Sequence, residues 1–279
     1  MNLLVSTDWL AAEMGKPDLR IIDASLFLPQ HGRNARAEFE AAHIPGAVFF
    51  DLEEIADLSS DLPYMLPTPE KFASRCQALG LGDGCRFVVY DNSPLHSAAR
   101  LWWMLTLFGA HDVMVLDGGF GKWQAEGRAQ ENGKPIVRHR HFTAQADWRL
   151  VRDMAGMTEN LRTRREQVLD ARSAARFAGA EPETRVGVRP GHIPGSHNLP
   201  YDTLFNADGT MKPADELKAA FKAAGVDITQ PLITSCGSGI TAAVLAFAVA
   251  LLGQKVPAIY DGSWTEWGGN PHNPVVTGA

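Results

Sequence analysis

His43-Ile44-Pro45-Gly46 and His192-Ile193-Pro194-Gly195 are the same four residues met twice, 149 positions apart. Three further pairs keep step with them. Ile22-Asp23-Ala24 returns as Leu169-Asp170-Ala171 at an offset of 147, Leu79-Gly80-Leu81 as Ala224-Gly225-Val226 at 145, and Leu116-Asp117-Gly118-Gly119 as Tyr260-Asp261-Gly262-Ser263 at 144. Four landmarks in one order and nearly one spacing indicate a duplicated domain. The first copy is placed at 1–140 and the second at 155–279, with 141–154 between them as a linker. The wider stretch Arg138 to Arg165 is polar and basic and lacks strong apolar periodicity for much of its length, as a solvated crossing segment would.

Each copy alternates short β-rich runs with helical patterns. Expected strands are Arg20–Asp23, Phe87–Tyr90 and Val113–Leu116, matched by Gln167–Asp170, Leu232–Ser235 and Val256–Tyr260. Thr68-Pro69-Glu70 supplies a helix cap, a first-turn proline and an acid ahead of Phe72 and Cys76. Pro213 to Ala224 repeats the device, with Leu217 and Phe221 one turn apart. Alternation of this kind predicts an α/β fold, two tandem domains each with a parallel sheet and helices on both faces.

The chain has 279 residues, 45% hydrophobic and 21% charged, so ordinary globular domains are expected rather than disorder. A formal charge of −6 gives no general pull toward nucleic acid or anionic membrane. The N-terminus has no basic region and meets Asp8 early, so no secretory signal is read there, and the longest apolar run, Ala242 to Leu252, is too short to span a bilayer. Three cysteines without a Cys-x-x-Cys pair argue against a disulfide framework or a structural zinc and suit a reducing, cytoplasmic setting. No metal and no organic cofactor is called for.

In sheets of this type ligands sit beyond the carboxyl ends of the strands. Leu232–Ser235 runs into Cys236-Gly237-Ser238-Gly239-Ile240-Thr241 and then an Ala-rich helix. Strand, glycine-bearing loop and helix N-terminus make a cradle in which backbone N–H groups converge on one point, and a thiol at its head is shifted toward the attacking thiolate. Cys236 is therefore the candidate nucleophile; Cys76, at an apolar helical position, and Cys85, in a turn, are read as packing residues. The loop permits phosphate-ester hydrolysis or sulfur transfer. A cysteine phosphatase needs an arginine six residues after the nucleophile, where this chain has Ala242, so hydrolysis is disfavoured. Aligning the following helices brings Asn92 onto Cys236, so the first copy lacks a nucleophile.

The paired His-Ile-Pro-Gly, the Asp-Gly-Gly-Phe-x-x-Trp at 117–123, the Gly262-Ser263-Trp264-Thr265-Glu266-Trp267-Gly268 and the single loop cysteine together resemble the two-domain rhodanese-type sulfurtransferases, over nearly the whole chain. In that family a Cys-Gly-Ser-Gly-x-Thr loop marks members acting on 3-mercaptopyruvate, whereas thiosulfate-preferring members carry Cys-Arg-Lys-Gly-x-Thr. The resemblance thus implies sulfur transfer from 3-mercaptopyruvate, through a Cys236 persulfide, to a thiol such as thioredoxin or to cyanide. Thiosulfate transfer or a sulfur carrier without turnover are the alternatives.

By the same resemblance Arg176 and Arg185 bind the donor's carboxylate and keto oxygens, and Gly237, Gly239, Ile240 and Thr241 complete the binding loop. Ser238 is placed to relay a proton to the departing group or to hydrogen-bond it, the alternative being that it only shapes the turn. Arg172 and Arg189 are read as exposed loop arginines. The family's first-domain acid and histidine correspond to Glu53 and Tyr64, and a tyrosine is no base near neutral pH without a large shift from ~10.

Overall fold

The computed structural model describes residues 2–278. Its elements fall into two series. The first holds β1 (Leu4–Val5), α1 (Thr7–Glu13), β2 (Leu19–Asp23), α2 (Ala35–Ala41), β3 (Ala47–Phe49), α3 (Leu52–Ile55), α4 (Pro69–Ala78), β4 (Arg86–Tyr90), α5 (Ala98–Leu107), β5 (Val113–Leu116) and α6 (Gly119–Ala125). The second holds β6 (Val151–Arg152), α7 (Met154–Thr163), β7 (Gln167–Asp170), α8 (Ala174–Ala178), β8 (His197–Asn198), α9 (Ala214–Ala223), β9 (Leu232–Ser235), α10 (Ala242–Leu251), β10 (Ala258–Tyr260) and α11 (Ser263–Gly269).

Each series builds one five-stranded sheet in which every paired strand is parallel, ordered β1-β5-β4-β2-β3 and β6-β10-β9-β7-β8. The duplication and the α/β class are borne out. The chain divides into two compact units: residues up to Asp57, Leu66–Asp147 and Asn206–Met211 form one, and Leu58–Met65, Trp148–Phe205 and Lys212 onward form the other. The polar stretch from Arg138 to Arg165 is not all connection. It contains β6 and the ten-residue α7, whose N-cap Asp153 accepts from the Gly156 amide and whose Met157 is buried, so the irregular part ends before Trp148.

The repeated tetrapeptide is architectural. His43 stacks on Phe39 at 4.0 Å and bonds its carbonyl through Nδ1 at 2.7 Å; His192 stacks on Phe177 at 3.7 Å and bonds the Phe177 carbonyl at 2.8 Å. Gly46 and Gly195 follow at φ 76° and 78°, a left-handed turn that a side chain would strain. The helix after each central strand is sunk in the core: every residue from Ala242 to Ala250 of α10 is buried, as are nine of the ten in α5. That burial holds the loops leading into α5 and α10 in place.

Candidate active site

Cys236 directly follows the central strand β9 and is 2% exposed. The carbonyl of Cys236 accepts from the Trp264 amide at 2.9 Å, and that of Gly237 accepts from the Thr265 amide at 3.0 Å and the Thr265 hydroxyl at 2.6 Å. A trans peptide points its N–H opposite to its C=O. Pinning these two carbonyls to the start of α11 therefore turns the Gly237 and Ser238 N–H groups the other way. The amides of Gly237, Ser238, Ile240, Thr241 and Ala242 donate to no protein acceptor among the described residues. Gly239 takes φ 80°, the left-handed bend that lets the loop curl. This is an anion cradle built from backbone, leading into the N-terminus of a buried ten-residue helix.

The arginines reach the cradle by different supports. Arg176, on α8, lies against Gly237, where a Cβ would stand 3.5 Å from Nη2. Its Nη2 pairs with Glu183, while its Nε is buried with no hydrogen-bond partner among the described residues. Arg185 donates through Nη1 to the Thr265 hydroxyl at 3.2 Å, and thence is linked to Gly237. Ser238 is buried at the loop's crest, and its hydroxyl makes no hydrogen bond among the described residues.

Two arginines set aside as exposed are not. Arg172 is 3% exposed and grips Asp170 through Nε at 3.0 and 3.1 Å and Nη2 at 2.7 Å, Glu183 through Nη1 at 2.8 Å and the Gly191 carbonyl at 2.8 Å, with its guanidinium 4.5 Å over Trp264. Burial would lower its pKa, but Asp170 and Glu183 more than offset this and raise it. The Glu183 carboxylate is thus shared by Arg172 below and Arg176 above. Arg189 is half-buried and donates to the carbonyls of Gly268, Asn270 and Asn273, fastening the chain after α11. Both arginines build the frame on which the site rests.

Tyr201, Glu183 and Thr265 were missed in the sequence: Tyr201 and Thr265 approach Cys236 and Gly237 from distant segments, and Glu183 acts through Arg172 and Arg176. Burial, Asp202 and Cys236 push the Tyr201 phenol up to about 12, so it stays protonated near the thiol. Burial pushes the Cys76 thiol well above its ordinary value, and Cys85 is buried as well; the chain's three thiols are unpaired. Glu53 sits on α3 in the first unit, and Tyr64, at φ 58°, belongs to the second.

The first unit's loop differs by one residue. In-register pairs Asp23–Tyr90 and Asp170–Ser235 make Asp91, not Asn92, the residue that follows the strand as Cys236 does. Asp91 to Ser97 spans seven residues before α5, against six from Cys236 to Thr241, and counting back from the helices hides that insertion. The Asp91 carboxylate accepts from the Ser93 amide at 2.9 Å and the Ala98 amide at 2.7 Å.

Comparison with known proteins agrees with this geometry. The model of the rhodanese-like domain matches residues 6–126 and again 153–270. The chain is 43% identical over 270 residues to the 3-mercaptopyruvate sulfurtransferase of Mus musculus, covering 95% of this chain and 91% of that one. It is 41% identical over 297 residues to the mitochondrial thiosulfate/3-mercaptopyruvate sulfurtransferase 1 of Arabidopsis thaliana, covering 98% and 77%. The crystal structure of the 3-mercaptopyruvate sulfotransferase SseA from Escherichia coli superposes with a TM-score of 0.86 at 40% identity, covering 95% of this chain and 99% of that one. With two matched copies spanning most of its length, the chain belongs to the family of rhodanese-like domain proteins.

Proposed function

We propose that the protein is a 3-mercaptopyruvate sulfurtransferase, as its mouse relative is named. One observation carries the reading: a buried thiol heads a loop of open amides that has no cation of its own, while two arginines stand beside it. A keto acid whose carboxylate lies away from its sulfur suits that division between backbone and side chains.

In the first half-reaction the Cys236 thiolate attacks the donor sulfur. The carbon–sulfur bond breaks with its electron pair going to carbon, the enolate of pyruvate leaves and takes a proton, and a persulfide remains on Cys236. Gly237, Ser238, Ile240 and Thr241 line the sulfur's cradle and steady its charge through their amides, and Gly239 supplies the bend that curls the loop. Arg176 and Arg185 hold the carboxylate and keto oxygens with forked, charge-assisted bonds. Ser238 and Tyr201 offer hydroxyl donors to the departing group and to the persulfide. In the second half-reaction an acceptor thiolate, that of thioredoxin or a small thiol, or cyanide in an assay, takes the outer sulfur and restores the thiolate. The three unpaired thiols favour a cytoplasmic setting. No helix among the described residues is long and apolar enough to cross a membrane.

Incubation with 3-mercaptopyruvate and a thiol acceptor is expected to release pyruvate over many turnovers. Release that persists in Cys236→Ser, or none from the wild type, would sink the reading. Thiosulfate as donor is the second reading, favoured by the dual name of the Arabidopsis relative. It requires a higher kcat/KM with thiosulfate than with mercaptopyruvate. A carrier without turnover would show a persulfide on Cys236 by intact mass and stop there.

A further inference from the structure

We propose that Thr265 is a positioning residue that ties the Arg185 guanidinium to the Cys236 loop, so that the donor's keto-acid end and its sulfur are held in one register. The inference rests on the mercaptopyruvate reading and adds a residue that reading does not contain.

The hydrogen-bond directions admit one assignment. A guanidinium has donors only, so Arg185 Nη1 gives its proton to the Thr265 oxygen at 3.2 Å. The hydroxyl has a single proton, and it goes to the Gly237 carbonyl at 2.6 Å. That carbonyl also accepts from the Thr265 amide at 3.0 Å. Thr265 is thus bonded at both ends, and its position fixes the peptide whose other edge is the Ser238 N–H.

The hydroxyl is also the one protein acceptor of the Arg185 guanidinium among the described residues. Arg176, by contrast, is braced by a carboxylate, Glu183. A neutral brace leaves the whole Arg185 charge available to an incoming anion, where an acidic one would compete with it. Only a residue with both a hydroxyl and room for one more bond serves here. Serine qualifies, while valine and alanine do not.

The experiment is a double-mutant cycle on KM for 3-mercaptopyruvate, with near-UV circular dichroism as the check on folding. Thr265→Val is expected to raise KM about tenfold, through loss of one hydrogen bond to a charged group, and to change kcat less. Thr265→Ser is expected to stay within about twofold of wild type. In an Arg185→Ala background Thr265→Val is expected to raise KM by less than about twofold, because the residue through which it acts is gone. If the valine does not fold, Thr265→Ala, which fits without a second branch, replaces it in the cycle. Equal effects of the substitution in both backgrounds, an unchanged KM, or a serine variant as impaired as valine would overturn the inference while leaving the sulfurtransferase intact. A wild type without mercaptopyruvate turnover removes the functional reading and this inference with it.

Discussion

Asp91 and Cys236 stand at the same place in two copies of one fold, each the first residue after a central strand, and their loops satisfy the same backbone in opposite ways. In the first unit the amides of Asn92, Ser93, Leu95, His96 and Ala98 all have protein acceptors, two of them being oxygens of Asp91 itself. In the second unit five of the loop's amides have none. The first loop contains its own anion as a covalent part, whereas the second leaves the same kind of donors open beside the Cys236 thiol. The neighbouring strand follows suit. Asp23 has Ser25 two residues on and pairs with no cation among the described residues, while Asp170 has Arg172 there, and through it Glu183 and Arg176. One copy has kept the scaffold and closed the site; the other has left the amides open and built an arginine support beside them.

The largest test of that contrast is the thiol itself. Cys236→Ser is expected to lower mercaptopyruvate turnover at least about a thousandfold, since a hydroxyl cannot carry the persulfide. Cys76→Ala and Cys85→Ala are expected to leave kcat/KM unchanged. Steady-state pyruvate release from the three variants checks both halves. Loss of activity in the Cys85 variant at intact folding would mean that the thiol assignment is incomplete.

Next in size comes the plug in the first loop. Asp91→Ala leaves two buried amides, Ser93 and Ala98, without acceptors at about 1–3 kcal/mol each, so the unfolding free energy is expected to drop by roughly 2–6 kcal/mol. Denaturant unfolding read separately from activity decides it. A drop below about 0.5 kcal/mol would show that the carboxylate does not hold the loop.

A smaller effect is expected from Arg176→Lys, which keeps the charge but loses the fork that reaches both Glu183 and a ligand. KM for mercaptopyruvate should rise about tenfold at near-constant kcat. Unchanged KM would detach Arg176 from donor binding and leave it as a brace for Glu183.

These expectations show where sequence reading reached and where it stopped. Val113–Leu116, Gln167–Asp170 and Leu232–Ser235 were legible to the residue because buried parallel strands have short apolar or β-branched centres, here bounded by polar Gln167, Asp170 and Ser235 in the second copy. Leu4–Val5, Val151–Arg152 and His197–Asn198 were not, being two-residue edge strands whose pattern is too short to register. The candidate nucleophile, Cys236, was legible because its loop is local. The fate of Arg172 was hidden, because its burial depends on Glu183 eleven residues away and on Trp264 in another element. Thr265 was hidden for the same reason: nothing in Gly262–Gly268 says that its hydroxyl meets Gly237. The exchange of Asp91 for Asn92 came from counting back through a helix across an insertion that only strand register reveals.

The finest test uses the charge on the plug. Burial pushes Asp91 up to about 6, against the two amide bonds that favour its ionised form, and burial raises Asp23 to about 6 likewise. A carboxyl group with a folded pKa above its unfolded value of about 3.9 binds its proton more tightly when folded. Its stabilising contribution is therefore fullest below the unfolded value and is lost as pH rises through 4 to 6. Asp91→Asn removes that linkage while keeping one carbonyl acceptor for the Ser93 or Ala98 amide. The stability advantage of wild type over Asp91→Asn is expected to be larger at pH 4.5 than at pH 7, by on the order of 1 kcal/mol, and the Asp91 charge that helps raise Asp23 in the wild type adds in the same direction. Paired denaturant titrations at the two pH values measure it. A difference that does not change with pH, or grows toward pH 7, would mean that the amides outweigh burial and that the first loop holds its anion as firmly as the second would hold a thiolate.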